Sequence, residues 1–142
     1  MSEKVLLVDD EKKFLDAMSE RMKTRGLEVE TSGSAEEALD MLSQESFDAV
    51  VLDLRMPEMD GIEALKRMKE KRPELQVILL TGHATVEEGV EAIKLGAMDF
   101  IEKPADLDVI SDKIKKAKEK KMLIVDEMNR DKFMDVLKRY GI

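Results

Sequence analysis

Five polar positions in this chain combine types and spacing suited to phosphate chemistry: the acidic pair Asp9-Asp10, then Asp53, Thr81 and Lys103, the last followed by Pro104. Each patch closes a run rich in apolar residues and containing β-branched ones: VLLV before Asp9, AVVL before Asp53, QVILL before Thr81 and DFIE before Lys103. In an open parallel sheet, ligands bind in the crevice outside the carboxyl ends of the strands. Strands ending in three acids, a hydroxyl and an ammonium therefore describe one site. Carboxylates that crowd together raise one another's pKa unless a cation neutralises them. A small, open set of oxygen ligands with room for waters and a phosphate suits Mg²⁺ better than Ca²⁺. Lys103 would set a fixed positive charge opposite the acids, and Thr81 a short hydroxyl donor. Metal, ammonium and hydroxyl are what a transferring phosphoryl group needs around its oxygens. Asp53, on the central strand with the others flanking it, is the candidate nucleophile. Taken singly, each patch has an ordinary reading. An acidic pair is commonly a solvated turn, Asp10 could cap a helix, and Lys-Pro is commonly a turn. Their joint placement at strand ends favours function.

The elements that must hold these groups alternate along the chain. Lys4–Asp9 reads as a buried strand, followed by a helical stripe of Phe14, Leu15, Met18 and Met22 that Gly26 can close. Leu27–Ser32 is a second strand, and Ser34-Ala-Glu-Glu37 a capping box opening a helix with Ala38, Leu39 and Leu42 inward. Asp48–Leu54 is the third strand, trailed by a loop with Pro57 and Gly61. A helix carrying Ile62, Leu65 and Met68 stops before Pro73. Gln76–Thr81 is the fourth strand, and Thr85-Val-Glu-Glu88 a second capping box opening a helix with Val90, Ile93 and Leu95 and closed by Gly96. Met98–Glu102 is the fifth strand. Continuous apolar strand runs joined by helices imply right-handed βαβ units and a parallel sheet covered on both faces.

From Ala105 to Tyr140 there is neither Gly nor Pro. Leu107, Ile110, Ile114 and Ala117 form one helical face for docking on the sheet. Beyond the basic KKAKEKK stretch, the tail reads as one long helix or two shorter ones. Phe133, Val136, Leu137 and Tyr140 are spaced for one face. Packing back on the body is the first reading of that face, with pairing to a second copy beside it. The division is residues 1–121 for the main domain and 122–142 for the helical tail.

With 142 residues the chain is sized for a single core. Aromatics are 4% of it, so the 11 Met and the aliphatic residues must fill the interior. A net charge of −8 argues against a nucleic-acid surface, and the tail is too short for an independent DNA-binding fold, which needs about 50 residues. The absence of cysteine excludes disulfides and thiolate metal sites. The opening MSEKVLLVDD is neither a signal peptide nor a membrane span, so a cytoplasmic protein is expected.

These residues resemble the receiver domain of two-component response regulators over Val5 to about Lys121. The resemblance rests on VDD at Val8–Asp10, DLRMPEMDG from Asp53 to Gly61, LLTGHA from Leu79 to Ala84 and GAMDFIEKP from Gly96 to Pro104. It implies a flavodoxin-like, doubly wound five-stranded sheet in the order 2-1-3-4-5, with a C-terminal helical extension here. It implies that Asp53 receives a phosphoryl group from a sensor histidine kinase. Asp10 would bind Mg²⁺ directly, Asp9 largely through water, and Asp53 and the backbone carbonyl of Arg55 would complete the set. Lys103, held by a cis bond to Pro104, would pair with phosphoryl oxygens. Thr81 and Phe100 would switch together, reshaping the face of the fourth helix, fifth strand and fifth helix for a partner. Such a protein is a signalling receiver rather than an enzyme, with no direct DNA binding, no membrane attachment and a possible homodimer.

His83 and Arg55 belong at the rim, where they would tune access of the hydrolytic water; His83 reads as a surface residue rather than a phosphate carrier. Three other functions compete. An aspartate-nucleophile phosphatase of the haloacid dehalogenase type needs D-x-D, whereas the acids here are adjacent. Flavin binding needs a hydroxyl- and glycine-rich phosphate loop, where this chain has Asp10-Glu11-Lys12-Lys13. A degenerate scaffold conflicts with the intact set of signature residues.

Overall fold

The computed structural model describes residues 2–56, 58–82 and 86–141. Strands and helices alternate throughout: β1 (Lys4–Val8), α1 (Lys12–Thr24), β2 (Glu28–Ser32), α2 (Ala35–Gln44), β3 (Ala49–Leu52), α3 (Gly61–Lys71), β4 (Gln76–Thr81), α4 (Val86–Lys94), β5 (Asp99–Glu102) and α5 (Leu107–Arg139). All neighbouring strands pair in parallel, in the order β2-β1-β3-β4-β5. Registers such as Val8↔Leu52 and Leu52↔Leu79 bring the ends of β1, β3 and β4 close to one level. The expected strands are present, each equal to or shorter than its apolar run. Asp9 and Asp53 follow the last paired residues instead of joining them, which frees their side chains for the rim.

The central strands β1, β3 and β4 each feed two cores because successive side chains point to opposite faces. Leu6, Val8, Val50, Leu52, Val77 and Leu79 pack with α2 and α3 on one face. Val5, Leu7, Val51, Ile78 and Leu80 pack with α1 and the first part of α5 on the other. Burial on both faces explains why these strands read as continuous apolar runs. Gly26 lies at φ 84°, a backbone region that costs a side chain energy, and it ends α1 as expected. Ser34 caps α2, its Oγ accepting from the Glu37 N–H at 3.2 Å.

Three expectations change. Asp10 does not cap α1: Glu11 occupies that position, and the Asp9 carboxylate accepts the Glu11 N–H at 2.9 Å. On α4, Val90 and Ile93 are exposed while Ala92 is buried and Leu95 is partly buried. The inward face carries small residues, which lets the helix lie close to the sheet. The Thr85 half of the second capping box lies outside the described residues, as do Pro57 and His83.

The largest change is in the tail. α5 is one unbroken helix of 33 residues, and its buried residues end at Ala117. Phe133, Val136 and Tyr140 are exposed, so the expected packing back on the body does not occur. With no Gly or Pro after Pro104 until Gly141, the chain has no turn residue with which to fold back.

Candidate functional site

Backbone pairing carries the site residues to one rim. The Asp9 N–H donates to the Ser32 carbonyl at 3.1 Å, and the Asp53 N–H to the Val8 carbonyl at 3.0 Å. The Lys103 N–H donates to the Thr81 carbonyl at 2.8 Å, and the Lys103–Pro104 bond is cis. Asp9, Asp53 and Thr81 are buried, and Asp10 is exposed. One carboxylate oxygen from each of Asp9, Asp10 and Asp53 lies within 4.8 Å of the others. Lys103 Nζ reaches Asp9 Oδ2 at 2.7 Å and Asp53 Oδ2 at 3.7 Å. The five residues singled out in the sequence therefore meet in one place.

The charges are unequally served. Burial pushes the Asp53 carboxyl above its ordinary value. The Arg55 N–H, which donates to Oδ1 at 3.1 Å, pulls the other way; the Asp9 charge adds to the rise, and Lys103 and a hydrogen bond with Thr81 resist it. Burial works against the Lys103 ammonium, but its hydrogen bond to Asp9 and the charges of Asp9, Asp53 and Glu11 outweigh that and hold its pKa above the usual lysine range. Among the described residues, Lys103 pairs with two of the three acids, Asp9 and Asp53, so the cluster carries an excess of negative charge. A hard divalent cation with oxygen ligands fits that donor set and would relieve the rise at Asp53.

Other residues support the site, some of them, such as Phe14 and Asp60, not singled out by their types. Phe14, read as part of a core stripe, lies under Lys103 with its ring centroid 4.0 Å from Nζ, a contact that favours a cation. Its position four residues after Asp10, one helical turn away, was the available signal. Phe14, Met18, Arg21, Leu80, Pro104 and Ala105 join Lys103 around a largely apolar cavity of about 340 Å³. Asp60 caps α3, its Oδ1 accepting the Ile62 N–H at 3.2 Å, and also bridges the backbone of Arg55. A Cβ on Gly61 would sit 2.5 Å from the Leu54 Cα, so only glycine lets α3 begin so near the loop after Asp53. Arg55 extends over the rim to Glu88 on α4, with Nη2 and Oε1 2.8 Å apart. Phe100 is half-buried on β5 against the core beneath α4.

Comparison with known proteins agrees with this geometry. The family described as the response regulator receiver domain matches residues 5–115. The transcriptional regulatory protein FixJ of Bradyrhizobium diazoefficiens is 40% identical over 113 residues, which cover 80% of this chain and 55% of that protein. The regulatory protein AtoC of Escherichia coli is 40% identical over 108 residues, or 76% of this chain and 23% of that protein. The chain thus spans about a quarter to a half of the length of these relatives. A response regulator receiver domain from Clostridium thermocellum superposes with a TM-score of 0.82 at 32% identity, covering 86% of this chain and 98% of that one.

Proposed function

This chain belongs to the response regulator receiver domain family, and on that premise we propose that Asp53 is its phosphoacceptor, charged by the phosphohistidine of a sensor kinase. Receiver domains are signalling modules of two-component systems that accept phosphate from histidine kinases. The observation that carries the assignment to Asp53 is its buried carboxylate, grouped with Asp9 and Asp10 and 3.7 Å from Lys103. In the transfer, an Asp53 oxygen attacks phosphorus, the N–P bond of the donor breaks, and the released imidazole takes a proton from water. Later attack by water returns the carboxylate and inorganic phosphate.

Asp9, Asp10, Asp53 and the Arg55 carbonyl would hold Mg²⁺, which supplies charge neutralisation for the transferring oxygens. Lys103 neutralises a second side of the phosphoryl group, and its seat on the Phe14 ring and Asp9 keeps the ammonium aimed at Asp53. The apolar cavity beside Lys103 offers a footing for the donor protein. Thr81, already hydrogen-bonded to Asp53, turns to a phosphoryl oxygen, and Phe100 moves inward as Thr81 leaves its place. Such a switch is a two-state equilibrium biased by new charge. It acts on α4, β5 and the first part of α5, where Val90, Ile93 and Val109 are exposed. Output then passes through protein binding at that face; a direct DNA contact finds no support in a chain of net charge −8. No helix among the described residues is long and apolar enough to cross a membrane. We take residues 1–121 as the receiver proper and 122–142 as its C-terminal tail, which begins as the continuation of α5.

Incubation with acetyl phosphate and Mg²⁺, read by intact mass, tests the reading. One added phosphoryl group is expected, absent without Mg²⁺ and reduced about 100-fold or more in Asp53→Asn. Undiminished labelling of that variant would assign the acceptor elsewhere.

A further inference from the structure

Beyond Lys121 the side chains of α5 are largely exposed. Lys121 Nζ is fixed to Ser46 Oγ at 2.8 Å and lies 3.5 Å from Asp48 Oδ1, and Lys118 Nζ reaches the Ser2 carbonyl at 3.3 Å. These contacts set the direction in which the helix leaves the body. The 18 residues Met122–Arg139 beyond them span about 27 Å. Met122 is 56% exposed, Phe133 62%, Val136 46% and Tyr140 71%. A helix of this length alone in water is marginal, because packing supplies most helical stability. An apolar surface on this scale marks an interaction site.

Spacing and charge identify the occupant. Met122, Asp126, Asn129, Phe133, Val136 and Tyr140 follow one another at intervals of 4, 3, 4, 3 and 4 residues. The mean interval near 3.5 is the seam of a two-helix coiled coil. Val125 and Leu137 flank it. Two copies running parallel would bring Asp126 against itself at the seam, a like-charge contact. In the antiparallel arrangement that places Met122 opposite Tyr140, Asp126 faces Val136 and Asn129 faces Phe133. Asp126 also comes within a helical turn of Arg139 from the second copy. Asp126 near the start of the segment and Arg139 at its end are then complementary, whereas Glu127 and Lys138 point away from the seam, and Arg130 and Lys132 approach their own copies beside the two-fold axis and weaken the pairing. The arrangement is two-fold symmetric and self-complementary, as an isologous dimer requires.

We infer that Met122–Tyr140 of two copies pair as an antiparallel coiled coil, holding the two receiver bodies at opposite ends. The seam covers fewer than three heptads, so the association is reversible and concentration-dependent. It does not depend on phosphorylation or on the assignment of Asp53, so its failure leaves that assignment untouched.

Sedimentation equilibrium of the full chain over a concentration series provides the test. A monomer–dimer equilibrium is expected, weakened about a hundredfold or more by Phe133→Glu, with the thermal unfolding of the body unchanged. Asp126→Arg or Arg139→Asp alone weakens pairing a few-fold, and the two together restore it. The chain has no cysteine, so Met122→Cys mixed with Tyr140→Cys yields a crosslinked heterodimer, while Met122→Cys alone crosslinks poorly. A monomer at every concentration, a dimer indifferent to Phe133→Glu, or strong crosslinking of Met122→Cys to itself overturns the proposal.

Discussion

The rim of the sheet and the outer half of α5 depart from ordinary burial in opposite directions. At the rim, Asp9 and Asp53 are charged side chains taken out of water, with Lys103 as their cation. On the tail, Leu123, Phe133 and Tyr140 are large side chains left in water. The first arrangement is costly unless the charges are compensated. The second is costly unless the surface is covered. The rim is an acidic cluster that a cation fits, and the tail is an exposed helix whose apolar side chains the body does not cover. The rim is held by several elements at once, through strand registers, the Lys103–Thr81 backbone bond and the Phe14 ring. The tail is held by its own helix alone. Rigid support goes to the place where atoms must be positioned to a fraction of an ångström, and a bare helix suffices where a seam must only be presented.

That contrast can be broken by substitution. Lys103→Met leaves Asp9 and Asp53 buried without their cation, and a loss of about 3–5 kcal/mol is expected in Mg²⁺-free buffer. Equilibrium urea unfolding measures it, and a loss below about 1 kcal/mol would mean that the rim charges are not coupled as described.

The docked and free parts of α5 sharpen the same point within one helix. Ile114 is fully buried, so Ile114→Ala is expected to cost about 2–4 kcal/mol. Leu123→Ala, measured at a concentration too low for self-association, is expected within about 0.5 kcal/mol of the parent. Equal effects at the two positions would show that the outer segment packs on the body after all.

An effect smaller than that at Ile114 is expected at the joint between β5 and α5. Lys113 on α5 pairs with the Asp99 carboxylate. Burial tends to raise the Asp99 pKa, but the hydrogen bonds from Lys113 and the Phe100 N–H bring it below the ordinary carboxylate value. A group depressed in the folded state stabilises it above its unfolded pKa, and that contribution disappears as pH falls through the folded pKa. Asp99→Asn is therefore less stable than the parent at pH 7, by about 1 kcal/mol or less for so exposed a pair. The gap closes below the unfolded carboxylate value of 3.8. Parallel unfolding series at neutral and strongly acidic pH report this, and a gap that persists in acid would assign the effect to lost packing.

Strand and helix identity was legible because the central strands β1, β3 and β4, buried on two sides, are nearly pure apolar runs and the helices carry their own stop and cap residues. The joint placement of Asp9, Asp10, Asp53, Thr81 and Lys103 was legible for a related reason: each closes a run, and parallel strands bring their ends to one rim. What could not be read was the support. Phe14 has the same apolar character as its neighbours Leu15 and Met18, and only the approach of Lys103 separates a core residue from a cation's seat. The Arg55–Glu88 pair joins residues 33 positions apart on a loop and a helix, with no local pattern to announce it. On α4, Val90, Ile93 and Leu95 lie along the helix, but only Leu95 packs on the core, and close approach to the sheet buries Ala92 beside it.

The sequence by itself determined the element order, the two-sided burial of the central strands and the identities of the acids, hydroxyl and lysine, since these follow from periodicity and from what terminates each run. Tertiary structure alone decided that Lys103 would lie 2.7 Å from Asp9 and 3.7 Å from Asp53, and that α5 would leave the body after Lys121. Distances between remote side chains depend on how the layers pack. An amphipathic stripe specifies that a face seeks cover, while the direction of the helix determines whether the body can provide it.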